Sequence, residues 1–167
     1  LRSSQGCQQT GLRALAMSAK RSARMIKIVS GGQTGVDRAA LDVARTLHLP
    51  HGGWCPRGRK AEDGRIPECY ALEETESPRY EVRTRRNVMD SDATLILCRG
   101  ALRGGTKLTH EIAQQAGKPC LVVKLDGQED LAAARSWLSE HDVRVLNVAG
   151  PRASQEEGIA EQAEAFL

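Results

Sequence analysis

Residues 27–41 read KIVSGGQTGVDRAAL, and their interpretation decides the fold. A short apolar run enters three glycines within five positions, and helical spacing then begins at Val36, Ala40, Val43, Ala44 and Leu47. Short apolar runs bounded by turn residues are buried strands, and recurrence at three to four residues marks an amphipathic helix. The stretch is therefore strand, glycine turn and helix. Its turn either presents free amides and a positive helix end to an anion, or is merely tight. Neither a dinucleotide-type GxGxxG nor a Gly-Lys-Ser/Thr phosphate loop is spelled here.

The same grammar continues outward. Strands are expected at 26–30, weakly at 50–54, and at 94–98, 120–125 and 143–148. Helices are expected at 36–47, 79–89, 106–116, 129–140 and 154–167, the last with Ser154 as N-cap and Glu157 completing a capping box. Alternating strands and helices predict an α/β fold, a Rossmann-like open and mostly parallel sheet with helices on both faces, in a single domain over 25–167. In such sheets ligands bind beyond the carboxyl ends of the strands, which directs attention to the loops there.

Composition excludes several classes. The chain has 167 residues, 3% aromatic, so its core rests on Ala, Val, Leu and Ile. No apolar run approaches the roughly 18 to 20 residues of a membrane helix, and no membrane partner is expected. Five cysteines without a CxxC pair suggest neither a disulfide framework nor zinc, and a reducing cytoplasm is the natural compartment. Cys98 and Cys120, inside apolar runs, are expected in the core. The net charge of +3 misleads: residues 1–24 carry Arg2, Arg13, Lys20, Arg21, Arg24 and no acid, leaving 19 basic against 21 acidic residues in the remainder. The body is not expected to bind nucleic acid. Residues 1–24 have the acid-free, Arg- and Ser-containing character of an organelle transit peptide, but a disordered basic leader is the preferred expectation.

Five loops carry the chemistry. In 30–35 (SGGQTG), Gly31, Gly32, Gln33, Thr34 and Gly35 are candidate ligand contacts. Asp37 in the following turn is there to complement the helix dipole or to meet a ligand. In 99–106 (RGALRGGT), a second glycine turn offers Gly104, Gly105 and Thr106, followed by Thr109, His110 and Glu111 on a helix. The polar loop 55–64 (CPRGRKAEDG) contains Cys55 and Arg59 and reads as exposed chain or as a lid. In 83–92 (RTRRNVMDSD), Arg83 and Asn87 share a helical face, and Arg83 suits a grip on phosphate or carboxylate. Asp90 and Asp92 close that helix or serve as site acids. Arg152, in the glycine turn 149–154, is the remaining candidate.

The strings SGGQTGVDRAALD, GWCPRGRKAEDG, RTRRNVMDSDATLIL, GGTKLT and LNVAGPRAS, in this order, resemble the putative molybdenum carrier family of the Rossmann-like SLOG superfamily. The resemblance spans 26 to about 167. It implies a binding or carrier protein for a phosphate-bearing, nucleotide-like or molybdopterin-type ligand. Molybdenum cofactor or a nucleotide is then the expected guest, and a homo-oligomer the expected assembly. Two alternatives stay open: a nucleotide phosphoribohydrolase-like hydrolase, and a nucleotide-sensing module. For the hydrolase, related phosphoribohydrolases carry an Arg about nine residues before a Ser-Asp-Ala segment, as Arg83 stands nine before Asp92. Their Pro-Gly-Gly-x-Gly-Thr-x-Glu-Glu motif is altered here to GGTKLTHE, which puts the acid Glu111 out of step and leaves Asp37 as the other candidate. Arg85-Arg86 also replaces the Glu-Trp expected in the family string, removing an aromatic that could stack on a flat ring.

Overall fold

The computed structural model describes residues 25–127 and 129–167. The expected leader, 1–24, lies outside the described residues. The chain runs β1 (Lys27–Val29), α1 (Val36–Thr46), β2 (His51–Gly52), β3 (Trp54–Cys55), β4 (Lys60–Ala61), β5 (Gly64–Arg65), β6 (Glu73–Glu74) and α2 (Tyr80–Met89). It continues through β7 (Ala93–Cys98), α3 (Gly104–Gln115), β8 (Cys120–Lys124), α4 (Leu131–Glu140), β9 (Val145–Ala149) and α5 (Ile159–Phe166).

Five strands form one parallel sheet in the order β2-β1-β9-β7-β8. This is the expected α/β, Rossmann-like arrangement, with two local departures. The weak strand at 50–54 divides into β2 and β3, because Gly53 takes a φ of 123° between them. The final helix starts at Ile159, behind a left-handed Gly158. Ser154 therefore caps nothing: its hydroxyl donates to Glu62 Oε2 at 2.5 Å, and the expected capping box does not form.

Strand alternation divides the core. Leu95 and Leu97 of β7 and Leu146 and Val148 of β9 join Ile28, Val36, Ala40, Ala44, Ile159 and Phe166 on one face, where α1 packs on α5. With period two, the intervening residues point to the opposite face. There Asn147 Nδ2 donates to Thr94 Oγ1 at 3.3 Å, a buried polar pair held at the register Thr94↔Asn147. On that side α2 and α3 pack together around Val88, Ile112 and Ala113. Burying each aliphatic side chain contributes about 1.5–3 kcal/mol, which is how a chain so poor in aromatics holds together. Cys98 is in the core, as expected, and Cys120 is only half-buried.

The segment between β2 and α2 is no free lid. Its hairpin β4–β5 and its ribbon β3–β6 enclose a separate apolar cluster of Leu41, Cys55, Ala61, Ile66, Tyr70 and Leu72. The sheet's strand order reverses at its centre. From β1 the chain moves outward to β2, from β7 it moves outward the other way to β8, and β9, last in sequence, lies between β1 and β7. The loops after these three strands border one crevice.

Candidate functional site

A cavity of about 340 Å³ opens at that crevice. The β1 loop and α1 contribute Gln33 and Asp37. Helix α2 contributes Tyr80, Glu81, Arg83 and Thr84, and α3 contributes Gly104, Gly105, Thr106, Leu108 and Thr109. The loop after β9 adds Gly150, Arg152 and Gln155. The two glycine turns and Arg152, far apart in sequence, thus meet at one place.

Asp37 and Arg83 form its floor. The Arg83 guanidinium lies 3.2 Å from Asp37 Oδ2 and presses on the β1 turn, where a Cβ on Gly31 would stand 1.8 Å from its Nη1. Gly31 is therefore required by Arg83. Burial pushes the Asp37 carboxyl above its ordinary range, and the pull of Arg83 and the Gln33 amide in the other direction does not cancel it. The Arg83 Nε–H is buried with no acceptor.

The two glycine turns differ in what their amides do. In the β1 turn, Gln33 N–H donates to Asp37 Oδ2 and Thr34 N–H to Gln33 Oε1, at 3.3 and 3.1 Å. Val36 N–H donates to Pro151 O at 3.3 Å and Arg38 N–H to Gln33 O at 3.2 Å. Gly32 and Gly35 have φ of 74° and 79°. A Cβ on Gly32 would strike Leu72 at 2.5 Å, and one on Gly35 would strike Pro151 O at 2.3 Å. The first turn is closed by packing against the protein itself, although the Gly32 and Gly35 amides find no protein acceptor.

The second turn is open. Gly104 and Gly105 are exposed, and a Cβ on Gly105 would meet nothing within 4 Å. Their amides open α3, where helix N–H groups lack an intrahelical acceptor, and no loop or side chain accepts from them. No side chain caps this helix, and its first turn contains no acid to offset its dipole. Around it, Thr84 and Thr106 are each 5% exposed. Their hydroxyls line the cavity and engage no protein acceptor.

Six of the sequence candidates lie elsewhere or have other employment. Arg59, expected at the ligand, is 4% exposed and outside the cavity lining. Its guanidinium donates to the carbonyls of Ile66, Leu72, Pro67 and Tyr70 at 2.8–3.1 Å, holding the 66–72 loop. Asn87 accepts from Trp54 N–H at 2.7 Å and donates to Trp54 O at 2.9 Å, imitating a strand partner for β3. Glu111 lies off the cavity, 3.6 Å from Lys107 on the exposed side of α3. Burial raises the pKa of Cys55, against the pull of Arg59, and this thiol too is remote from the cavity. Asp90 accepts from the Trp54 indole at 2.7 Å, and Asp92 accepts from the Arg144 and Val145 amides at 2.9 and 2.8 Å.

Thr34 faces neither way alone: its hydroxyl meets Glu62 and accepts from Ala153 N–H at 3.2 Å. Glu62 also takes Ser154 and stands 3.7 Å from Arg152. Partial burial pushes the Glu62 carboxyl upward, but hydrogen bonds from Ser154 and Thr34 outweigh it and leave the pKa below the usual value. Asp63, next in the hairpin, makes a bidentate pair with Arg38. Sequence reasoning missed Glu62, and only a pairing between distant loops reveals it. It also missed Tyr80, the ring that lines the cavity with the Arg152 guanidinium 5.9 Å from its centroid. The only signal for Tyr80 was its position one helical turn before Arg83 and Thr84. Arg86, in place of the expected aromatic, instead stacks on Trp54 at 4.6 Å.

Among the described residues no group of three His, Cys, Asp or Glu side chains is placed to hold a metal ion. No helix there is long and apolar enough to cross a membrane.

Comparison with known proteins adds the following. A family model described as "Circularly permutated YpsA SLOG family" matches residues 28–167. A solved structure of a putative molybdenum carrier protein from Syntrophus aciditrophicus SB is 49% identical, with a TM-score of 0.82 over 85% of this chain and 92% of that one. A solved (E)-4-hydroxy-3-methyl-but-2-enyl diphosphate reductase is 10% identical, with a TM-score of 0.38 over 93% of this chain and 64% of that one. That likeness is too slight to carry any argument. No curated protein matches the sequence.

Proposed function

This chain belongs to the circularly permutated YpsA SLOG family, and from that premise we propose that it binds and carries a small phosphate-bearing molecule. The anionic group sits at the N-terminus of α3. The observation that carries this reading is the open turn: two exposed glycine amides border a cavity lined by Thr84 and Thr106, buried residues whose hydroxyls have no protein acceptor. A helix N-terminus with free amides favours an oxyanion, and glycine lets it approach the backbone.

A nucleotide-like or molybdopterin-type ligand fits this cavity. Tyr80 offers a ring face and Gln33, Thr84 and Thr109 offer polar contacts for a flat head group. The likeness to a molybdenum carrier protein supports molybdenum cofactor as cargo. The cavity would hold such a cargo by its phosphate and ring, since the described residues present no donor set for the metal itself. The four cysteines among the described residues are free, which suits a reducing cytoplasm, and the family resemblance favours a homo-oligomer.

One observation favours the hydrolytic alternative. Asp37 lines the cavity with its pKa raised by burial, the direction of shift that favours a carboxyl acting as a proton donor. Glu111, the other candidate acid, lies off the cavity. Carriage remains the preferred reading, because Asp37 is engaged by Arg83 and the Gln33 amide at the cavity floor.

Mass spectrometry of small molecules released from the purified protein tests the proposal. We expect a phosphate-bearing compound with the wild type and none with Gly105→Val. Equal recovery from both proteins, or from neither, would contradict it. Free base accumulating from nucleoside monophosphates over many turnovers, and abolished by Asp37→Asn, would favour the hydrolase.

A further inference from the structure

A second cavity of about 330 Å³ lies on the other side of the α3 N-terminus, lined by Cys98, Gly100, Ala101, Arg103, Thr106, Pro151, Gln155 and Glu156. Thr106 and Gln155 line both cavities, so they form the partition between them.

The two differ in charge. In the first cavity each arginine has a carboxylate beside it, Arg83 with Asp37 and Arg152 with Glu62, and Glu81 adds a further acid. In the second, Arg103 has no acidic partner within ion-pair distance. Lys124 brings a second cation to its wall, with Nζ 3.3 Å from Cys98 Sγ and bonded to Gly100 O. The one acid there, Glu156, accepts from the Arg99 amide at 3.3 Å. Thr106, a residue 5% exposed whose hydroxyl has no protein partner, lines this cationic pocket as well as the first cavity.

We infer that the second cavity is an anion subsite of the same ligand site, so that the ligand straddles α3. Its neutral or ring-bearing part lies in the first cavity. Its acidic end, a diphosphate or an equivalent double anion, passes the Gly104–Gly105 amides into the second. This inference rests on the α3 reading above and adds an orientation to it. Arg103 and Lys124, without acidic partners, lie on one side of the helix terminus; on the other is the Tyr80-bearing cavity, whose arginines are each paired with a carboxylate and where Lys60 stands 5.7 Å from the Tyr80 ring. A doubly charged group gains from Arg103 and Lys124 where a neutral head gains nothing.

The test is a titration of the whole chain with inorganic pyrophosphate, followed by amide resonances and by calorimetry. Shifts are expected at Gly100, Ala101, Gly105 and Thr106. Arg103→Ala should weaken binding at least about tenfold, as loss of a charge-assisted contact does. Arg85→Ala, which removes an equal charge from an exposed position off both cavities, should have little effect. Shifts at Gly105, Thr106 and Thr84 but not at Gly100 or Ala101 would place the anion in the first cavity. That result overturns the orientation and leaves the α3 reading standing. Equal losses in Arg103→Ala and Arg85→Ala would mean diffuse electrostatics and would also overturn the subsite. No response at Gly105 would remove both the subsite and the reading beneath it.

Discussion

The loop after β1 and the loop leading into α3 carry the same glycine-rich signature and do different work. In the first, Asp37, the Gln33 side chain, Pro151 and the Gln33 carbonyl accept from four N–H groups, and the surroundings leave no room beside the glycines. Its glycines answer to Arg83, Leu72 and Pro151. The second leaves the amides of Gly104 and Gly105 open and its Cβ positions nearly empty. Glycine can be needed because the protein comes close or because something else must, and only the surroundings distinguish the two. By that criterion the β1 turn is the scaffold and the α3 turn is the receptor.

Substitution should separate the two turns most sharply at Gly32. Valine there must accept a φ of 74° and displace Leu72 and Ile66, so Gly32→Val should lose roughly 3–5 kcal/mol in urea unfolding. If Gly32→Val stays as stable as the wild type, the closed-turn account is wrong. Arg83→Ala comes next. It strips the partner from a carboxyl that is almost wholly buried and should lower stability by about 3 kcal/mol, with Asp37→Asn introduced into Arg83→Ala recovering part of the loss. An Arg83→Ala protein of unchanged stability would return Arg83 to a role in ligand contact alone.

At the second turn the balance inverts. Gly105→Val projects into open space and should alter stability by about 1 kcal/mol or less while removing anion binding. Calorimetry with the recovered ligand or with pyrophosphate, beside a denaturant curve, gives both numbers on one sample.

The smallest expected effect concerns the hairpin that fastens the scaffold turn. The Glu62 pKa lies below its ordinary 4.5, so its folded state prefers the charged form. Its stabilisation is complete above pH 4.5 and is lost as the pH falls through the lower folded value. Asp63, depressed chiefly by its hydrogen bond to Arg38, acts in the same direction. Amides 61–64 should therefore exchange hydrogen faster, relative to intrinsic rates, below about pH 4 than at pH 6. Faster relative exchange at pH 6 would reverse the sign and refute the clamp.

The fold was largely legible because its signals are local. The run TLILC became β7 and CLVVK became β8, while the spacing of Val36, Ala40 and Ala44 placed α1. That the loops after β1, β7 and β9 border one crevice also followed from strand ends. What could not be read was the employment of each polar group. Arg59 and Arg83 look alike as cations in loops or helices, yet one is saturated by four carbonyls set 7 to 13 residues ahead, and the other is not. Ser154 and Glu157 spell a capping box, but Glu62 takes the serine from 92 residues away. Asn87 shares a helical face with Arg83 and nonetheless serves the backbone of Trp54. Each of these outcomes depends on a partner distant in sequence, which periodicity and spacing do not report.

Anomalous diffraction from crystals soaked in tungstate tests the contrast between the turns most directly, because that heavy oxyanion marks where tetrahedral anions are held. A peak is expected within hydrogen-bonding distance of the Gly104 and Gly105 amides, beside Thr106. A peak cradled by residues 30–35 with none at α3 would contradict it.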